Sequence, residues 1–308
     1  MSEQKTPQHL VAGLVRLLTV TREGEDAFTG HKQPGGVGRV FGGQVIAQAL
    51  QAAQASAPEG FEAHSLHAYF LRGGTEGIDI GYTIARDFDG RSFANRRVVA
   101  SQAEQDGTTR PILNLTASFQ RPEEGLAHDD TRMPDVAPPE ELQSDRDMRR
   151  EIAERAGERM SAAQRAIFLR PRPIDTRTLD RLHWMNREPS APRAHSWFRT
   201  VAPLPDDAAL HRAVIAYASD YTLLGTSALP HGLSWMRGEL AGASLDHAIW
   251  FHRPAIRAFR ADEWLLYATD SPWSGSGRGF NRGRIFNRAG ELVASVAQEG
   301  MMRKRVRK

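Results

Sequence analysis

The chain has 308 residues, 40% hydrophobic and 25% charged, enough for one large folded domain or two medium ones and unlike a disordered polymer. It contains no cysteine, which excludes disulfides, thiolate zinc sites, iron–sulfur clusters and a cysteine nucleophile. Forty basic residues against 37 acidic ones leave a net charge of only +3, and the one dense basic run is the terminal Met302–Lys308, which reads as a solvated tail and not as a nucleic-acid surface.

The N-terminal segment Met1–Gln8 is polar, and the apolar stretch Leu10–Val20 is interrupted by Arg16, so neither a signal peptide nor a membrane span is expected. The C-terminus lacks a Ser-Lys-Leu address, and a cytoplasmic location is the default. The first strong element is Phe41–Ala53, rich in Ala, Leu and Gln and apolar around most of its circumference, which predicts a helix buried nearly all round. Strand-like runs follow at His64–Leu71, Ile78–Ala85, Phe93–Ala100 and Pro111–Phe119, with turn signals at Asp89-Gly90 and Asp106-Gly107. One buried helix followed by an antiparallel meander is an α+β unit. Pro122–Pro139 is acidic and proline-rich and reads as a linker. Asp145–Leu169 reads as one charged helix with Met148, Ile152, Ala156, Met160, Ala163 and Ile167 as its apolar stripe.

The second half repeats the first. Tyr217–Leu224 is expected to open a helix that stops at Pro230-His231-Gly232, and strand-like runs follow at Leu245–His252, Glu263–Thr269, Gly279–Phe286 and Leu292–Gln298. Ala68-Tyr69-Phe70-Leu71-Arg72 aligns with Ile249-Trp250-Phe251-His252-Arg253, and Arg91-Ser92-Phe93 aligns with Arg278-Gly279-Phe280 at nearly the same offset, which suggests duplication of one unit. The expected organisation is an N-terminal unit over 1–122, a linker with the charged helix over 123–177, and a C-terminal unit over 178–308.

Several ordered motifs resemble the acyl-CoA thioesterase II family. They are Phe41-Gly42-Gly43-Gln44, His64–Arg72, Tyr217-Ala218-Ser219-Asp220, Pro230-His231-Gly232, Leu245–Pro254, Glu263–Tyr267, Arg278-Gly279-Phe280 and Val293–Gly300. The match runs from about Leu17 to Met302 with a variable middle; the link Ala255–Asp262 looks longer than usual. The resemblance implies a double hotdog fold, each half wrapping an antiparallel sheet around one long helix. It implies hydrolysis of acyl-CoA to fatty acid and coenzyme A, without metal or other cofactor, by a homo-oligomer (dimer or tetramer). Its catalytic trio maps onto Asp220, Ser244 and Gln298.

Those residue types suit the chemistry. An aspartate serves as general base or anchor for water, an amide supplies donor and acceptor, and a hydroxyl bridges them. On this reading Asp220 sits near a helix N-terminus, which keeps it ionised but weakly basic. Each residue also has a plainer reading: Asp220 as an N-cap, Ser244 as a loop hydroxyl, Gln298 as a solvent-facing strand residue. His231, His247 and His252 fit no familiar zinc spacing and read as packing or capping groups, while Arg97 and Arg284 suit either coenzyme A phosphates or ion pairs. Gly42-Gly43 reads as a close-packing site that leaves the first half without a trio and mainly structural. The absence of a Gly-x-Ser-x-Gly elbow disfavours an α/β serine hydrolase. A non-hydrolytic acyl-CoA binding protein on the same fold is the runner-up, and a hotdog dehydratase would need a His–Asp pair on the helix.

Overall fold

The computed structural model describes residues 6–36, 38–179, 188–235 and 237–305; the end of the basic tail lies outside them. Helix α2, Gly42–Ser56, is buried on nearly every face, because Ala47, Ala49, Ala52 and Ala53 leave room for neighbours all round. Strands β3 (Glu62–Phe70), β4 (Ile80–Asp89), β5 (Phe93–Ala103) and β6 (Thr109–Gln120) curve past it in the order β4-β5-β6-β3, all antiparallel. Two short strands, β1 (Val20–Arg22) and β2 (Ala27–Gly30), extend the β4 edge. Helix α1, Pro7–Leu18, was not anticipated. Its Thr6 cap accepts the His9 N–H, and Val11, Leu14, Leu17 and Leu18 bury against the core.

The second unit repeats this plan around α5, Ala208–Ser219. Its strands are β7 (Ile174–Thr178), β8 (Arg193–Thr200), β9 (Leu240–Ser244), β10 (Asp246–Phe251), β11 (Leu265–Gly275), β12 (Arg278–Phe286) and β13 (Leu292–Lys304). The path β10-β13-β12-β11-β8-β7 joins the first unit through antiparallel pairing of β10 with β3, from Asp246↔Tyr69 to Trp250↔Ser65. The result is the α+β double hotdog, with α2 and α5 side by side and antiparallel on the concave face. The start of α2 meets the end of α5, and near the opposite ends Arg212 of α5 hydrogen-bonds Glu62, just beyond α2.

Three expectations are corrected. The charged segment is two helices, α3 (Asp145–Ala156) and α4 (Ala162–Phe168), because Gly157 takes φ +53° and Ser161 starts a new helix with a capping box to Gln164. The inward face of α3 is Asp145, Arg149 and Ala153, and not the expected stripe, because the Asp145 carboxylate is tied to Thr176 and Thr178 of β7. The helix of the second half ends at Ser219 instead of opening at Tyr217. Its N-cap is Asp207, whose side chain accepts from the N–H groups of Ala209 and Leu210, and a 3-10 turn runs over Leu223–His231. The segment 121–138 carries no helix or strand, and a 3-10 turn, Pro139–Glu141, follows it. In the long link after Pro254, Ala255, Phe259 and Ala261 bury into the core and Ile256 holds φ +71°. No helix among the described residues is long and apolar enough to cross a membrane.

Candidate active site

Asp220 caps the C-terminal end of α5, the opposite end from the one expected. That end of a helix disfavours an anion, since its carbonyls carry the negative pole. The compensation comes from the other unit: the start of α2 abuts it, and the Gly43 N–H donates to the Asp220 carboxylate. The two glycines make this approach possible. A Cβ on Gly43 would collide with the Tyr217 carbonyl oxygen and lie 2.6 Å from the Phe41 ring; one on Gly42 would lie 2.7 Å from Asp220 Oδ2. The Gly42-Gly43 pair therefore does more than pack helices. Gly42→Ala is expected to lower kcat at least tenfold at nearly unchanged helix content, because α2 keeps its fold but crowds the carboxylate; turnover and circular dichroism of the variant check this.

Ser244 closes β9, and β9 and β10 run along the same edge of β13 with a break at Leu245-Asp246. At the break the Asp246 carboxylate, in place of a main-chain carbonyl, accepts the Glu299 N–H at 2.6 Å, and the Ser244 hydroxyl donates to Asp220 Oδ1 at 3.4 Å. Irregularities of this kind re-aim side chains beside sites. Gln298 lies on β13 in phase with buried Val296 and is itself fully buried, so the solvent-facing reading is wrong. Its Nε2 reaches Asp220 Oδ1 at 2.7 Å, Ser244 Oγ at 3.0 Å and His247 Nδ1 at 3.1 Å. All three expected residues thus converge on one point.

His247 does more than pack: it holds the glutamine. The Ser219 hydroxyl donates to the Ala216 carbonyl, so the 2.9 Å contact between Ser219 Oγ and His247 Nε2 requires an N–H on Nε2. Nδ1 is then the acceptor, and it takes an N–H of Gln298. Burial pushes the imidazole pKa down to about 3, which keeps it neutral, so the 4.0 Å approach to Asp220 is not an ion pair. The chain Ala216–Ser219–His247–Gln298–Asp220 fixes which way the amide faces. Gln298 Oε1 is left buried without a partner among the described residues, as is Oδ1 of Asn281, directly opposite Gln298 on β12. Tyr267, also unforeseen, donates its hydroxyl to the Ser219 carbonyl at 3.0 Å, tying down the helix end that carries Asp220. Gly283 makes room for its ring, which a Cβ there would strike.

The Asp220 side chain is 6% exposed. Burial raises its pKa from the usual 3.8 to about 6, against the opposing pull of the Gln298, Gly43 and Ser244 hydrogen bonds. It is therefore a stronger base than a helix-N-terminal aspartate would be. The register places Leu66, Ala117 and Arg96 of the first unit where the second has His247, Gln298 and Asn281. Buried Arg96 there bonds the Ser56 carbonyl at the end of α2 and pairs with Asp89. Of the other candidates, His231 and His252 bond Ser274 and Ser295, and Arg97 pairs with Asp87.

Residues 170–301 match the profile of the family described as Acyl-CoA thioesterase, and residues 31–120 match that of the Acyl-CoA thioesterase N-terminal domain. The chain is 35% identical to Acyl-CoA thioesterase 2 of Haemophilus influenzae over 96% of its own length and 98% of that protein's. It is 37% identical to human Acyl-coenzyme A thioesterase 8, over 91% of this chain and 85% of that one. The crystal structure of an acyl-CoA thioesterase II from Mycobacterium marinum superposes with a TM-score of 0.73 at 36% identity, covering 94% of this chain and 98% of that one. With relatedness of this extent across both units, and a buried carboxylate–amide–hydroxyl cluster at their junction, the chain belongs to the acyl-CoA thioesterase family.

Proposed function

We infer that the chain hydrolyses acyl-CoA thioesters to a carboxylic acid and free coenzyme A, and that Asp220, Ser244 and Gln298 activate the water. The observation that carries the site assignment is the Asp220 carboxylate, buried, with a pKa of about 6, and held by Gln298 Nε2 at 2.7 Å. A base whose pKa lies near the working pH combines ionisation with proton affinity. Water held between Asp220 and the unpartnered Oε1 of Gln298 has two acceptors to orient it. Its oxygen attacks the thioester carbonyl as Asp220 takes a proton; the C–S bond of the tetrahedral intermediate then breaks, and that proton can pass to the departing thiolate. Ser244 steadies the carboxylate, and His247 acts through Gln298.

In this scheme residues 178–308 form the unit that carries the chemistry. The unit over 1–122 is mainly structural but supplies the Gly43 N–H, and 123–177 bridges the two, its last four residues already belonging to β7 of the second unit's sheet. A homo-oligomer fits the outward face of the β3–β10 join, where Tyr69 is 60% and Trp250 36% exposed with His67 against the indole, aromatic surface that a second copy would cover. A cytoplasmic location fits a chain whose described helices include no membrane span.

Thiol release from acyl-CoA esters of short, medium and long chain is the direct test. Release is expected with at least one of them and should survive a chelator, because each step uses only the chain's own groups. No release across the panel would overturn the hydrolase reading, and tight binding without release would favour a sensor.

A further inference from the structure

A second cluster stands apart from the catalytic residues. Between the start of α1, the start of α3, the end of α4 and β7 lies a cavity of about 540 Å³. Arg146, Arg149, Arg150, Arg170 and Arg172 surround it, against only Asp145 and Asp175. Asp145 is already occupied by Thr176 and Thr178, and Arg150 is paired with Asp147. Arg146, Arg170 and Arg172 meet no carboxylate among the described residues.

Arg149 is the telling member. Its side chain is 9% exposed, its Nε is buried with no hydrogen-bond partner among the described residues, and its acidic neighbour Asp145 stands 3.9 Å away. A buried guanidinium left without hydrogen bonds is costly and calls for an anion to complete it. Burial and the charge of Arg172 push its pKa down to about 10, as expected of a cation short of counter-charge. Apart from Thr6 and Thr176 the rest of the lining is apolar, including Phe168, Ile174 and Val201, a surface suited to an aromatic base. A cavity of this volume is too large for a single inorganic ion and is of the size of a nucleotide.

The position is informative. Tyr221, the residue after Asp220, feels the charges of Arg172 and Arg149, and Tyr217 those of Arg172 and Arg170. Tyr221 packs between Tyr217 and Phe41, with ring centroids 5.3 and 5.0 Å away, and Phe41 caps the helix whose Gly43 holds Asp220. An aromatic cluster therefore separates the arginine cavity from the catalytic carboxylate.

We propose that this cavity binds the phosphorylated adenosine head of coenzyme A, with Arg149 and Arg172 as its principal phosphate ligands and the neutral pantetheine arm crossing Phe41 and Tyr221 towards Asp220. The ligand's identity rests on the thioesterase reading; the existence of a nucleotide-phosphate site does not. Guanidinium forks match phosphate geometry, and several of them answer the several charges of a 3′-phosphorylated diphosphate.

The test uses the full-length protein and two substrates with the same acyl group, one on coenzyme A and one on N-acetylcysteamine, which lacks the nucleotide. Arg172→Ala, at an exposed position, and Arg149→Gln are each expected to raise KM for acyl-CoA about tenfold to a hundredfold. The preference in kcat/KM for acyl-CoA over the truncated thioester should shrink by the same factor. Adenosine 3′,5′-bisphosphate should inhibit competitively against acyl-CoA, bind by calorimetry in a salt-dependent way, and lose that binding in Arg172→Ala. If Arg149→Gln fails to fold, Arg172→Ala and the binding measurement still decide. An unchanged preference, inhibition that is not competitive, or binding that persists in Arg172→Ala would overturn the proposal. Nucleotide binding by a protein that released no thiol would instead count against the hydrolase reading alone.

Discussion

Replacing Asp220 with asparagine is expected to lower turnover by about two to four orders of magnitude, the usual scale of general acid–base help, while leaving the protein as stable as before, or more so, at pH 8. The two effects share one cause. Burial lifts the carboxyl pKa from 3.8 to about 6, so the folded state holds its proton more tightly than the unfolded chain does. A folded value above the unfolded one gives a contribution that is fully present below pH 3.8 and is lost as pH rises through about 6. Above that, the buried charge costs on the order of 3 kcal/mol relative to its protonated form. Asparagine keeps the shape and an acceptor for the Gly43 N–H but never carries the charge. Its stabilising effect should therefore be largest at pH 8 and should vanish near pH 4, as thermal melts at the two values would show. In the wild type, kcat/KM should fall about tenfold per unit below pH 6, as the base is protonated. Near-normal turnover of Asp220→Asn would remove the aspartate from the mechanism, and a melting temperature reduced equally at both pH values would make it a mere cap.

Much of this site was legible in the sequence, and the errors have physical sources. The three residues that the resemblance singles out, Asp220, Ser244 and Gln298, lie within hydrogen-bond reach of one another. Asp220 nevertheless lies at the opposite end of its helix from the one the sequence suggests, because the break at Pro230-His231-Gly232 resembles a helix end while α5 already stops at Ser219. The run Asp207-Ala208-Ala209-Leu210 held the true start, an N-cap ahead of an apolar stretch. That error inverted the electrostatics: a group thought to be acidified by a dipole is instead made basic by burial. The solvent-facing reading of Gln298 neglected alternation along β13, where Val296 and Gln298 share the inner face. The same rule would have found His247, in phase with buried Ile249 and Phe251 on β10. What periodicity could not reveal is contact between units. Nothing local to Gly42-Gly43 points to a carboxylate more than 170 positions away, because that contact arises only from antiparallel packing of α2 on α5. The strands β7 and β8 were missed for a related reason: their burial comes from pairing with each other and with β11, while their letters are rich in Arg, Thr and Ser.

The hydrogen bonds at Gln298 also make the losses there unequal and interdependent. Its Nε2 touches three groups with two protons, so Asp220 and His247, or Asp220 and Ser244, are held at a given moment. Removing the amide releases the carboxylate, the hydroxyl and the imidazole together, and Gln298→Ala is expected to cost about a hundredfold or more in kcat, as displacement of a reacting group commonly does. Ser244→Ala should cost less, since its own bond to Asp220 is long, at 3.4 Å. If both side chains serve one water, the double variant should be little slower than Gln298→Ala alone, because groups acting as a unit are strongly non-additive. His247→Leu removes the acceptor that orients the amide and should slow the wild type, yet it should add nothing once Gln298 is alanine. His247→Asn, which restores an acceptor near the Nδ1 position, should recover part of the loss. Clean multiplication of the Gln298 and Ser244 effects would mean that they act on different steps. A His247→Leu penalty that persisted in the Gln298→Ala background would mean that the imidazole supports the fold and not the glutamine.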